Sequence, residues 1–257
     1  MARYSRHIDL HEVGPSGQRK ITQARVLVVG AGGLGVPVLL YLTAAGVGKI
    51  GIVDPDHVEE ENLQRQVLYR EADLNNNKAL VAQKLLKARN SEIDLHAYPQ
   101  AFQVDNAISL VEAYDVVVDC TDNFQTRYLI NDACVKRNKP LVFAAIFKYE
   151  GQLSVFNYQD GPTYRCLFPK PPLPGEVPNC EDNGVLGVLP GILGMYQTNE
   201  ILKIIIGLGK VLSGTLMTVN LLTLDQKQLT FTRDNKEVNH IKNSPLQLTD
   251  INDCKLI

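Results

Sequence analysis

Four glycines, Gly30, Gly32, Gly33 and Gly35, stand in the spacing G-x-G-x-x-G, directly after an apolar run from Ala24 and before an apolar segment that reads as helix through Ala45. Between a strand and a helix this pattern suits phosphate binding. Glycine lets the backbone approach the anion, and the helix N-terminus supplies unpaired N–H groups and positive potential. A second apolar run, Lys49-Ile-Gly-Ile-Val-Asp54, ends in an acid about 20 residues further on, where a carboxylate takes a ribose hydroxyl. Asp56 joins the same candidate set. The competing reading, in which the glycines only shape a tight turn, is weaker because loop and acid occur together. The pair predicts a nucleotide or dinucleotide site without saying which nucleotide.

A nicotinamide oxidoreductase is the first reading of such a site, but the residues after Asp54 carry too much positive charge for it. Asn62-Leu-Gln-Arg65-Gln66 follows the acid, Lys78 opens the next helix, and Asp122 with Asn123 stands just beyond a strand ending at Asp119. On a doubly wound sheet these positions meet at the carboxyl ends of the strands, where ligands bind. Two cations and an amide suit a triphosphate, and a carboxylate suits its magnesium. Plainer alternatives exist: surface ion pairs for Arg65 and Lys78, and a helix N-cap for Asp122.

The elements needed to hold these groups follow from hydrophobic periodicity. The first two strands and their intervening helix make a βαβ unit, so a parallel sheet covered on both faces is expected. Helices are predicted over Asn77 to Arg89, Asp122 to Arg137 and Leu189 to Ile206, with strands at Asp94 to Tyr98, Asp115 to Asp119 and Pro140 to Ala145. Gln152 to Phe156 alternates polar and apolar residues with no crossover helix behind it, which predicts an antiparallel hairpin or sheet edge. Strands near Leu216 to Leu222 and Gln228 to Phe231 close the fold. The predicted class is therefore α/β, with a Rossmann-like, mostly parallel sheet between helices, continued by antiparallel strands at the C-terminal end. Residues 1–233 read as one domain. Within it, the Pro- and Gly-rich segment Asp160 to Asn183 is expected to be exposed and without regular structure, and 234–257 reads as a weakly ordered tail.

A net charge of -2 provides no strong positive field, which argues against a nucleic-acid partner. The most apolar stretch, Val185 to Leu208, is broken by Pro190, Asn199, Glu200 and Lys203, so no membrane span is expected. A charged start in place of an apolar signal, and five cysteines without paired spacing, predict a reducing cytoplasm. Cys120 and Cys134 read as packing residues, and His57 and His96 as solitary side chains without a ligand role.

Several motifs occur together in one order: Arg3-Tyr-Ser-Arg6-His, Val29-Gly-Ala-Gly-Gly-Leu-Gly35, Asp54 through Asn62-Leu-Gln-Arg-Gln66, Asp119-Cys-Thr-Asp-Asn123, Glu150-Gly-Gln and Tyr164-Arg-Cys-Leu. From Arg3 to roughly Lys210 the chain resembles the ThiF/MoeB/HesA group of ubiquitin-activating-like adenylyltransferases. Each motif alone is weak; the ordered set is specific. The resemblance implies a homodimer that uses ATP and magnesium to adenylate the terminal glycine of a ThiS-like or MoaD-like sulfur carrier, for thiamin thiazole or molybdopterin synthesis. It assigns Asp54 to the ribose, Asn62, Arg65 and Lys78 to the phosphates, and Asp122 to magnesium. Asp56, Gln66 and Asn123 complete the nucleotide set. Arg6 would reach the phosphates of the partner subunit's site, the alternative being a solvated charge.

Cys180 matches a cysteine that some relatives use to carry the activated carrier or sulfur, although a separate sulfur donor can take that step. Many relatives hold structural zinc through two C-x-x-C pairs. Here the first reads Thr163-Tyr-Arg-Cys166 and the second has no counterpart near Arg233 to His240, so no zinc is expected. Asn75 stands where relatives commonly have glycine, and asparagine tolerates the left-handed backbone such a position uses. Two further alternatives are a non-catalytic carrier-docking subunit, against which the intact charged set argues, and activation of a carboxylate on transfer RNA, against which the near-neutral charge argues.

Overall fold

The structure is a computed structural model that describes residues 2–172 and 184–248. The chain opens with α1 (Ser5–Ile8) and α2 (Gly14–Gln23), then alternates β1 (Arg25–Val29), α3 (Gly35–Ala45), β2 (Lys49–Val53), α4 (Lys78–Arg89) and β3 (Asp94–Tyr98). It continues with α5 (Val104–Glu112), β4 (Val116–Asp119), α6 (Phe124–Arg137), β5 (Leu141–Phe147) and β6 (Glu150–Phe156). The remaining elements are α7 (Tyr164–Leu167), α8 (Val188–Ile206), β7 (Thr215–Asn220), β8 (Gln226–Thr230) and α9 (Asn235–Asn243).

The strands form one eight-stranded sheet in the order β3-β2-β1-β4-β5-β6-β7-β8. Pairing is parallel from β3 to β5 and antiparallel from β5 to β8. Alternation along β1 explains its continuous apolar run: Val26 and Val28 enter one core, Leu27 and Val29 the other. Helices α2, α3, α4 and α8 cover the first face, and α5 and α6 the second. Because β1 pairs with both β2 and β4, connections leave in opposite directions there, and a crevice opens at the carboxyl ends of β1 and β4. Among the described residues no helix is long and apolar enough to cross a membrane.

Three sequence expectations need correction. Asn235–Asn243, expected as weakly ordered tail, is helix α9. Asp234 caps it by accepting from the N–H groups of Lys236 and Glu237, and Val238 and Ile241 are buried against Val135 of α6. Two apolar residues three apart make one contact stripe, too sparse to stand out against the charged residues between them. Next, the segment after Asp160 contains the one-turn helix α7, and Thr163 and Tyr164 are buried, so this part is not exposed. Residues 173–183 lie outside the described chain. Finally, α2 and α5 were not anticipated. Asn75, by contrast, takes the expected left-handed backbone at φ 64.

If α9 is docked as described, Ile241→Ala should lower the unfolding free energy by about 2 kcal/mol, since it empties most of a small cluster. Urea denaturation of the two proteins measures this; no change would mean that α9 contributes nothing to the folded unit.

Candidate functional site

The glycine turn is built by close approach. Gly30 has φ +96, and a Cβ there would lie 2.5 Å from the carbonyl oxygen of Cys120 at the end of β4. A Cβ on Gly35 would lie 2.0 Å from the carbonyl oxygen of Gly30. These two glycines therefore let β1, α3 and the end of β4 meet. Gly33 packs against Pro190 at the start of α8. Gly32 is different: a Cβ there would find nothing nearer than the Gln66 side-chain amide, 3.5 Å away, so this glycine borders the crevice with space beside it.

Asp54 is buried at the end of β2, where its carboxylate accepts from the N–H of Ala31 at 2.6 Å and of Asp56 at 2.8 Å. Burial pushes its pKa upward against the pull of these hydrogen bonds and of Lys78. Lys78, also buried, extends from the first turn of α4 to Asp56 at 3.2 Å, and Asp56 itself is largely exposed. Lys78 is thus not a surface charge. Asn77 caps α4 through Leu80 and donates to the carbonyls of Asp54 and Asp56, tying the helix start to the loop after β2. Sequence reasoning missed Asn77, although an Asn directly before a lysine-led helix is an N-cap signal.

Asn62 and Gln66 follow on the same loop. Both are buried, and their Oδ1 and Oε1 atoms have no hydrogen-bond partner. An unpaired buried amide oxygen costs roughly 1–3 kcal/mol. Beside a glycine turn, a sugar hydroxyl or a base amino group supplies the missing donor, so the residues present fit a nucleotide. Arg65 lies between them, half-buried, its stem beside Gly33 and one nitrogen donating to the Glu61 carbonyl at 3.0 Å.

Asp122 stands across the crevice, beyond β4. It is not a helix cap, because Asn123 takes that position and accepts from Thr126 at 2.8 Å. Protein crowding pushes the Asp122 carboxyl above its ordinary range, a hydrogen bond from Asn123 opposes this, and the charges of Asp56 and Lys78 act in opposite senses. Yet the residue is exposed, and that access limits how far desolvation can neutralise it. Asn123, expected among the nucleotide contacts, is engaged in capping α6 and in holding Asp122. Among the described residues no group of three or more His, Cys, Asp and Glu is placed to hold a metal. A single carboxylate at this position is chemically compatible with magnesium, which needs few protein ligands.

The turn that carries Asp122 is fixed from below. Asp119 is fully buried and pairs with Arg127 at 3.0 Å, while its other oxygen accepts from the Thr121 N–H and hydroxyl. Gln197 of α8 donates to the Asp119 carbonyl and accepts weakly from the Cys120 thiol. Burial pushes the thiols of Cys120 and Cys134 upward, which fits packing residues. Cys166 is partly buried, and its sulfur accepts from the backbone of Thr163 and Asp234. Cys180 lies outside the described residues. Two residues beyond Asp122 begins a cavity of about 1020 Å³ on the α6 face, lined by Phe124, Arg127, Gln152, Tyr164, Asn220 and Lys227 among others.

Arg6 does not join this site within its own chain. It is exposed on α1, and its neighbours are tied to the far ends of α3 and α4. Tyr4 accepts from Asn90, Arg3 donates to the Arg89 carbonyl, and His7 meets Gln18, which donates to the Ala45 carbonyl. Helix α3 has 11 residues and α4 has 12, and both begin at the crevice, so at 1.5 Å per residue the far edge is roughly 16–18 Å away.

A doubly wound α/β protein with a glycine turn at its switch point, faced by Lys78, Arg65 and Asp122, belongs to the class that binds nucleotides at that crevice. The chain belongs to the ThiF family, which it matches over residues 4–240. It is 51% identical over 237 residues to the sulfur carrier protein adenylyltransferase of Thermus thermophilus, covering 90% of this chain and 88% of that one. It is 52% identical over 215 residues to the adenylyltransferase and sulfurtransferase MOCS3 of Mus musculus, covering 84% of this chain and 47% of the relative. The chain thus spans about half the length of that relative. Crystal structures of E. coli MccB share the fold: the ATP complex has a TM-score of 0.76 at 22% identity, covering 91% of this chain and 72% of that chain.

The glycine geometry separates two roles. Gly30→Ala, forced to a positive φ against a backbone carbonyl, should destabilise the fold by at least about 2 kcal/mol, whereas Gly32→Ala should change it by less than about 1 kcal/mol. Thermal unfolding of both variants checks this, and equal effects would contradict the division between packing and crevice glycines.

Proposed function

We propose that this chain uses ATP to adenylate the C-terminal carboxylate of a ubiquitin-like sulfur-carrier protein, MoaD-like or ThiS-like, with release of pyrophosphate. The observation that carries the reading is that Gln66 and Arg65 border Gly32 and Gly33, while Lys78 on Asp56 and the Asp122 carboxyl sense one another beside them, in a chain half identical to a sulfur carrier protein adenylyltransferase. The family sets aside the nicotinamide reading.

In this reading the triphosphate lies along the glycine turn and the N-terminus of α3, with the ribose at Asp54. Lys78 exchanges the Asp56 carboxylate for a phosphate oxygen, which costs little because Asp56 can turn to water. Asp122 would hold magnesium, which would supply positive charge against the phosphates. The carrier carboxylate attacks the α-phosphorus, a bond to its oxygen forms, and the bond to the β-phosphate oxygen breaks. Fixed cations stabilise the crowded anionic transition state, and no general base is required because the nucleophile is already ionised. The cavity beside Asp122 gives an extended carrier tail its route to that point. The fold reads as one adenylation unit without structural zinc: Cys166 spends its sulfur on backbone N–H groups, and Thr163 offers no thiolate. Transfer of sulfur to the adenylate is assigned to a separate donor, with Cys180 as the alternative carrier of that step.

Arg6 completes the reading in trans. Its position at the far edge of its own chain suits a symmetric dimer in which each site borrows the partner subunit's arginine.

Carrier-dependent exchange of pyrophosphate into ATP, requiring magnesium, is the expected activity. Asp122→Ala should lower it on the order of a hundred-fold, and an unchanged rate would remove Asp122 from the site. Equal amounts of Arg6→Ala and Asp122→Ala chains, each nearly inactive, should recover about a quarter of wild-type exchange after subunit mixing. With mixing confirmed independently, no recovery would exclude action in trans.

A further inference from the structure

Arg127 is the largest of the fully buried side chains, yet the transfer of an adenylyl group needs no cation at its position. It lies one turn into α6, and its guanidinium is held in several directions at once. Nε donates to Asp119 at 3.0 Å and Nη2 to the carbonyl of Thr121 at 3.0 Å. The Tyr164 phenol lies near enough to couple electrostatically with the same group, and its ring packs on that of Phe143, centroids 5.4 Å apart. The rings of Phe143 and Phe124 pack against it, with centroids at 4.9 and 5.7 Å.

Two of these contacts grip the turn from Asp119 to Thr121, and the next residue is Asp122. The third leads the other way. Tyr164 lines the cavity, and its helix α7 is fastened to α6 by the Arg165–Asp132 pair at 2.8 Å and by the Tyr164 N–H to Asn131 at 2.9 Å. A planar fork can donate to an acid and a carbonyl in different directions while its face packs on Phe143, and a lysine ammonium cannot replace it there. A pair needed only for packing would not have to bridge the turn and the cavity wall.

We propose that Arg127 is a positioning residue for the reaction: it sets the turn that presents Asp122 and, through Tyr164, ties that turn to the wall of the cavity that receives the acceptor. This rests on the adenylation reading above. Occupation of the cavity by the acceptor then bears on the placement of Asp122, so that the carboxylate is correctly set when the acceptor is seated.

Arg127→Lys keeps a positive charge beside Asp119 while breaking the fork. In pyrophosphate exchange with a purified MoaD-like carrier, this variant should need roughly ten-fold or more magnesium for half-maximal rate and show a lower kcat, as for loss of a group that orients a metal ligand. Its ATP binding measured in EDTA should change by a much smaller factor, because Asp54 and the glycine turn are built on β1, β2 and α3 and meet the turn that Arg127 holds only at Cys120 and Thr121. Tyr164→Phe keeps the ring and removes only the phenol oxygen. It should shift the magnesium requirement in the same direction by a smaller factor and raise the carrier KM, and it decides the matter if Arg127→Lys does not fold. The inference is overturned by an unchanged magnesium requirement in the folded variants. It is equally overturned by parallel losses of ATP binding, carrier binding and thermal stability, the signature of a purely structural pair. Wild-type protein with no carrier-dependent exchange would instead overturn the adenylation reading, and this inference with it.

Discussion

The backbone at Gly30 passes so close to the carbonyl of Cys120 that no side chain fits between them. That approach fixes the separation of β1 and β4 at the one place where the sheet changes its winding, and the crevice exists because of it. A side chain at Gly30 would push the glycine turn away from β4 and carry the α3 N-terminus with it. The N–H groups that make this turn suitable for an anion are thus oriented by packing and not by the anion.

Around this point the polar groups divide into those that hold and those that wait. Asp119 spends both oxygens and its carbonyl on the protein, through Thr121, Arg127 and Gln197, and Asn77 spends its amide on two loop carbonyls and a helix start. Lys78 is intermediate, buried along its stem but paired with the exposed Asp56. A lysine held by a solvated partner keeps its charge and its position while remaining exchangeable. Asp119 and Arg127, with fully committed partners, belong to the scaffold, whereas Lys78, with a partner facing water, is left exchangeable for the phosphate contact proposed for it.

Much of this was legible in the sequence because it follows from short-range pattern. The glycine spacing, Asp54 and the apolar runs around them report a βαβ unit directly, and topology then brings Lys78 and Asp122 within reach of each other's charge without any contact being visible in the sequence. The exceptions share a cause. Arg127 sits in a helix among polar residues, where an arginine ordinarily faces water, and only the third dimension shows Asp119 and two aromatic rings around it. Tyr164 is a buried anchor hidden in a stretch whose prolines and glycines suggest an exposed loop. Helix α9 has two apolar residues, enough to dock but too few to produce a periodic signal. The edge on which Arg6 lies depends on where α1 folds back, which no local spacing encodes.

The unpaired oxygens of Asn62 and Gln66 have a consequence beyond the reaction. Folding buries both without giving either a protein partner, and in the proposed reading a bound nucleotide supplies one. Ligand and fold then share one free energy: at a hundred times its dissociation constant a ligand adds about 2.7 kcal/mol to the folded state. In the proposed reading the nucleotide is thus a stabiliser of the folded chain as well as a reactant.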